Sequence, residues 1–156
     1  MATTDRPRVF LTNFASLRSA GHVGLGAKLS IVAWPRKLER ADGFVRTLRP
    51  KTREELAALS LVMRERKDGA TDPETVARLR SWIEARWEFA LAHGALSPRR
   101  LFAEIGPDHK VVAVDDGDTL LCSCARGAAC HRVWAAPFLV RAGWRVVLDG
   151  VEVTGG

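Results

Sequence analysis

No stretch of the chain approaches the roughly 18 consecutive apolar residues that a membrane span requires. The longest apolar run, at positions 133–140, is eight residues long and contains Pro137. No membrane association is expected. Cysteine is scarce, with three residues confined to nine positions, and an odd, clustered count argues against a disulfide framework. The opening MATTDRPRVF lacks a basic start followed by an apolar core, so no secretory leader is expected. A reducing cytoplasm suits such a thiol cluster, where clustered cysteines point to metal, catalytic or redox chemistry. Neither G-x-G-x-x-G nor G-K-[ST] occurs, and the G-H-V-G-L-G stretch at 21–26 reads as part of a flexible loop over 19–26. Internal repeats and low-complexity segments are absent.

What is present fits one domain. The chain has 156 residues, 47% hydrophobic and 27% charged, and a chain of this size buries roughly 70% of its unfolded surface without staples. A single α/β domain over 1–156 is expected, with 1–6 and 154–156 flexible. The formal net charge is +6, which favours anionic partners such as nucleic acid, nucleotides or phosphorylated metabolites. Biased composition explains it equally well, because no block holds five consecutive basic residues. Arg64, Arg66 and Lys67 are the first candidates for contact with a polynucleotide. They also fall in the last turn of an expected helix, where cations complement the dipole.

Local pattern suggests strands at 8–12 (RVFLT) and 28–34 (KLSIVAW). Thr52-Arg-Glu-Glu55 is a capping box opening a helix with Leu56, Leu59 and Val62 or Met63 on one face and Gly69 as its stop. Asp72 and Pro73 open a second helix, whose apolar stripe is Val76, Leu79, Ile83, Trp87, Ala90 and Leu91. His93 in its last turn reads as a helix-end residue, and Trp82 and Trp87 as core. A short third helix is expected over 98–105. Strands at 110–114 and 119–123 flank Asp115-Asp-Gly-Asp118, whose Asp-Gly centre suggests a hairpin. The acidic turn lacks the twelve-residue loop and terminal Glu of a calcium site. A helix kinked by Pro137 should run from Cys130 to Ala142, followed by a strand at 144–148. The alternation implies a layered α/β fold with a mostly parallel or mixed sheet flanked by helices.

Chemistry concentrates at LLCSCARGAACHR, positions 120–132. A strand ends near Cys122, a small-residue loop carries Arg126, and a helix begins near Cys130. Ligands of open α/β sheets bind beyond the carboxyl ends of strands, where helix N-termini attract anions. Three readings stand side by side. In the first, Cys122, Cys130, His131 and Arg132 are catalytic: a thiol of lowered pKa, a proton shuttle and a guanidinium fork for an anion. In the second, Cys122, Cys124, Cys130 and His131 hold zinc or iron in a non-catalytic module, although the spacing is not a common zinc pattern. In the third, the thiols are small core residues and Arg132 is structural. A cysteine phosphatase is rejected, since that loop needs five residues between Cys and Arg, whereas Cys124 and Cys122 leave seven and nine before Arg132. An arginine just inside a helix N-terminus opposes the dipole, so it needs an anion or a carboxylate partner. If an anion is the reason, Arg132→Ala should leave stability unchanged or slightly raised.

The C-x7-C-H-R pattern from Cys122 to Arg132 resembles the signature of the domain-of-unknown-function 488 family. Phe10-Leu-Thr-Asn-Phe-Ala-Ser-Leu-Arg18, Ser30-Ile-Val-Ala-Trp34 and Leu48-Arg-Pro50 are similar to that family's opening strand and turn, second strand and following turn. The resemblance implies a compact cytoplasmic α/β domain without a settled activity. It implies a site lined by Cys122, Cys130, His131 and Arg132, approached by Thr12, Asn13 and Arg18. Cys124 stands where the family often has an acidic residue, and Pro137 interrupts a helix that is usually proline-free. The leading expectation is an enzyme acting on a nucleotide, nucleic-acid base or other phosphate-bearing substrate. Thr12, Asn13, Arg18 and Arg126 are its candidate substrate contacts.

Overall fold

The computed structural model describes residues 6–33, 41–69, 71–123 and 130–153. β1 (Arg8–Asn13) is buried on both faces after its first residue, and β6 (Thr119–Cys122) is buried throughout. Strands apolar on both sides belong in the middle of a sheet with parallel neighbours. The remaining strands are β2 (Lys28–Ser30), β3 (Gly43–Phe44), β4 (Phe102–Ile105), β5 (Lys110–Ala113), β7 (Arg145–Leu148) and β8 (Val151–Val153). They form one eight-stranded sheet in the order β5-β4-β3-β2-β6-β1-β7-β8. The five from β3 to β7 in that order are parallel, while β4, β5 and β8 join antiparallel. The fold is therefore a layered α/β fold with a mixed sheet.

The helices α1 (Arg53–Lys67), α2 (Pro73–Ala92) and α3 (His131–Ala142) cover one face. One apolar cluster joins Val9, Leu11, Leu29, Leu120 and Val146 of the sheet to Val62, Leu79, Ile83, Trp87, Trp134 and Phe138 of the helices. On the other face Phe10, Thr12, Thr119 and Leu121 are buried, partly beneath the segment joining β1 to β2. There the Gly24 N–H donates to Thr119 Oγ1 at 2.9 Å, and a Cβ at Gly24 would collide with the Phe10 ring and the Gly117 carbonyl. Among the described residues no helix is long and apolar enough to cross a membrane.

The caps act where local chemistry places them. Thr52 Oγ1 accepts from the Glu55 N–H at 3.2 Å, and Asp72 Oδ1 from the Glu74 N–H at 3.0 Å. Gly69 and Gly143 follow α1 and α3 with φ of +83° and +110°. His93 caps the end of α2, and its ring lies 4.3 Å from that of Phe89.

Several expectations are corrected. The segment expected as a helix at 98–105 turns through Arg99, at φ +71°, and becomes β4, because β3 and β5 offer it sheet partners on both sides. The strands at 110–113 and 119–122 do not pair as a hairpin. Asp115-Asp-Gly-Asp118 does turn, with the Asp118 N–H donating to Asp115 O at 3.1 Å, but it carries the chain across to the slot between β2 and β1. The Asp118 carboxylate accepts the N–H groups of Ala27 and Asp115, so it holds backbone. β2 stops at Ser30, and Trp34 lies outside the described residues. Trp82 is 40% exposed and Met63 42%, because α1 and α2 each bury a narrower stripe than their apolar content suggests. α3 extends to Ala142 as expected, with Pro137 inside it; Val133, whose carbonyl Pro137 cannot bond, is on the exposed side. The expected flexible ends, apart from Arg6, lie outside the described residues.

Candidate active site

The carboxyl ends of β6, β1 and β7 lie side by side, with Asn13 in register with Cys122 and Leu11 with Leu148. α3 begins above them. Cys130 is its N-cap, with no side-chain capping bond, and His131 and Arg132 form its first turn. Cys122, Cys130, His131 and Arg132 are all buried, Arg132 completely.

Their contacts form a chain. Arg132 Nη1 donates to Cys122 Sγ at 3.1 Å, and the Cys130 thiol donates to the same sulfur at 3.3 Å. Neither cysteine is in a disulfide. His131 Nε2 lies 2.6 Å from Ile31 O; a carbonyl only accepts, so Nε2 carries the hydrogen. In the neutral ring Nδ1 is then an acceptor, facing Cys130 Sγ at 3.7 Å. Cys122 receives two donors, one cationic, and such surroundings favour the thiolate. Burial alone would lower the Arg132 pKa, but the charge on Cys122 and the bonds to Asp149 outweigh it and raise it above its usual value. The guanidinium thus hydrogen-bonds Cys122 and also faces the charge of Cys130, the thiol that the helix dipole alone would single out.

Asp149, which sequence reasoning missed, completes the chain. Its carboxylate receives Arg132 Nη2 at 3.1 Å and Nε at 3.3 and 3.4 Å. Thr12 Oγ1 donates to its Oδ1 at 3.1 Å, and His22 Nδ1 stands 3.5 Å from the same hydroxyl. Asp149 and Gly150 have φ of +48° and +85°, the two-residue turn that joins β7 to β8. The signal was present in the sequence: an Asp-Gly pair between WRVVL and VEV, a stronger hairpin pattern than the one at Asp116-Gly117. His22, inside the glycine-rich loop, carried no signal of its own.

Thr12 and Asn13 therefore reach the site edge, at 0% and 4% exposure. Arg18 is exposed and makes no hydrogen bond or ion pair with the cluster among the described residues. Cys124 and Arg126 lie outside the described residues. Among those described, no group of three or more His, Cys, Asp or Glu residues is placed to hold a metal. A guanidinium bonded to Cys122 Sγ also opposes a second cation at that sulfur. Within the fold Arg132 has a carboxylate partner, Asp149.

No protein-family profile, curated protein or solved structure matches the chain. The local geometry therefore carries the functional reading.

Proposed function

We propose that the chain is an enzyme acting on a nucleotide, nucleic-acid base or other phosphate-bearing substrate, with Cys122 as its reactive thiolate. The observation that carries the proposal is the buried contact of Arg132 Nη1 with Cys122 Sγ at 3.1 Å. A thiolate, not a thiol, is the nucleophile, and a fixed cation is a general means of forming one at neutral pH. In forming the thiolate, Cys130 would take the proton of Cys122 and pass its own to His131 Nδ1. The phosphate-bearing character of the substrate is supported by the net charge of +6 and by the helix N-terminus at the carboxyl edge of the sheet. Membership of the domain-of-unknown-function 488 family, and a cytoplasmic location with it, belong to the same proposal on the strength of the C-x7-C-H-R pattern.

Alkylation by iodoacetamide, followed against pH and resolved by cysteine with mass spectrometry, tests the thiolate. Cys122 should react with an apparent pKa below the ordinary value of about 8.5. Reaction only on unfolding would overturn the reading. Turnover is tested with a panel of nucleoside mono-, di- and triphosphates analysed by chromatography. Consumption that disappears in Cys122→Ser supports the enzyme, and its persistence removes Cys122 from the mechanism.

A further inference from the structure

On the sheet face opposite the helices lies a cavity of about 410 Å³ that the thiol cluster does not use. That volume is within the roughly 300–1,000 Å³ range of small-molecule sites. Its floor is a row across three strands, with Ser30 in register with Phe44 and Phe44 with Glu104. Phe14, from the 3₁₀ turn after β1 (Phe14–Ser16), makes one wall, and Arg49 another.

The polar groups of the cavity are unevenly satisfied. Glu104 is taken by Arg46, at 2.9 and 3.1 Å, with His109 at 3.7 Å. Among the described residues Arg49 bonds no carboxylate. Its Nε and Nη2 donate to the carbonyls of Val32 and Ala33 at 2.8 and 2.9 Å, and its guanidinium lies over the Phe44 ring at 4.6 Å. These bonds fix Arg49 and leave Nη1 as a donor without a partner among the described residues. Burial, and then Arg46, hold its pKa below the usual arginine value. Asp42 also lines the cavity, its Oδ2 accepting the Lys28 N–H at 2.8 Å. The Phe14 ring has no aromatic or cationic partner among the described residues, whereas Phe44 has Arg46, Arg49 and His109.

We propose that this cavity binds a nucleobase, stacked on Phe14 and read along its edge by Arg49 and Asp42. An unpartnered aromatic face accepts a flat ring. A fixed donor and a carboxylate acceptor on the same cavity match a heterocycle that carries both a carbonyl or ring nitrogen and an N–H. A bare phosphate meets one arginine but also the Asp42 charge, and has no use for Phe14. The inference goes beyond the proposed function: the cavity is separate from the thiol cluster, and its binding test does not depend on the thiols.

The test is titration of the protein with uridine, cytidine and inosine, and separately with ribose 5-phosphate, followed by backbone amide NMR shifts. At least one nucleoside should bind, with shifts centred on Phe14, Ser30 and Phe44, and ribose 5-phosphate should not. Phe14→Leu keeps apolar volume and should weaken that binding about tenfold, or about 1.4 kcal/mol. Arg49→Gln should weaken it as much or more. Cys122→Ser should bind the nucleoside as the wild type does, so failure of the thiol reading and failure of this one are distinguishable. Absence of nucleoside binding, binding unchanged in a folded Phe14→Leu protein, or ribose 5-phosphate shifting the same amides would each overturn the proposal.

Discussion

Asp149 and Arg132 meet as an ion pair in which the guanidinium is fully buried and the carboxylate is 24% exposed. The pair closes the carboxyl edge of the sheet. Asp149 comes from the β7–β8 turn and Arg132 from the first turn of α3, and the same guanidinium reaches Cys122. Its two halves are unequal in their surroundings, and so are the costs of removing them.

Asp149→Asn leaves a buried guanidinium without its carboxylate and should cost about 3–5 kcal/mol. Arg132→Met removes the buried charge, keeps much of the volume and leaves a carboxylate that water can reach; it should cost less, about 1–3 kcal/mol. Urea denaturation of both variants at neutral pH measures the order. The reverse order would mean that the charge on Cys122, which also faces Arg132, offsets the loss of Asp149.

Glu55 predicts a pH dependence. Burial opposes its ionisation, but Arg86 bonds both carboxylate oxygens at 2.8 Å and, with Lys51 and Thr52, holds its pKa below the usual value. A carboxyl whose folded pKa is depressed contributes stability that is fully present above its unfolded pKa, near 4.3. That contribution is lost as pH falls through the folded pKa. Glu55→Gln should therefore be less stable than wild type at pH 7, with a gap that narrows toward pH 3. Thermal melts across that range check it, and a constant gap would remove Glu55 from the acid response.

Gly150 and Gly69 have nearly the same backbone, at φ +85° and +83°. Among the described residues a Cβ at Gly69 meets nothing within 4 Å, whereas one at Gly150 meets His22 Nε2 at 2.9 Å. Both alanine variants carry the left-handed penalty of about 1–2 kcal/mol. Gly150→Ala should cost more by the displacement of His22. Equal losses in melting experiments would show that His22 moves aside freely.

Trp87 is fully buried, with its indole N–H donating to Thr47 O at 3.1 Å, while Trp82 is 40% exposed. Trp87→Ala should cost about 3–5 kcal/mol, and Trp82→Ala well under half of that. Chemical denaturation of the two variants separates core from surface tryptophan.

The helices were legible because their signals are local. A Thr52 or Asp72 hydroxyl or carboxylate satisfies N–H groups within three residues, and a stripe such as Leu79, Ile83 and Trp87 needs only the helical period. The same locality misled at Ser97-Pro98, which has the form of a helix start. Four residues later Phe102–Ile105 gains more from bonding to β3 and β5 than from one turn of helix. At Thr119–Cys122 the strand is buried on both faces, which places it between parallel neighbours and not in a hairpin at an edge.

The sequence by itself determined that this is an α/β chain, where α1, α2 and α3 begin and end, and that Cys122, Cys130, His131 and Arg132 gather at the end of a strand. Those properties follow from residues within a few positions of one another, through capping, periodicity and strand-to-helix succession. Only the tertiary structure decided that β6 lies between β2 and β1, and that the Asp-Gly turn at Asp149 delivers a carboxylate to Arg132. It alone placed the cation on Cys122. Strand order, and the distance between groups far apart in the chain, depend on which buried faces and unpaired backbone edges satisfy one another in three dimensions, and no local pattern carries that information.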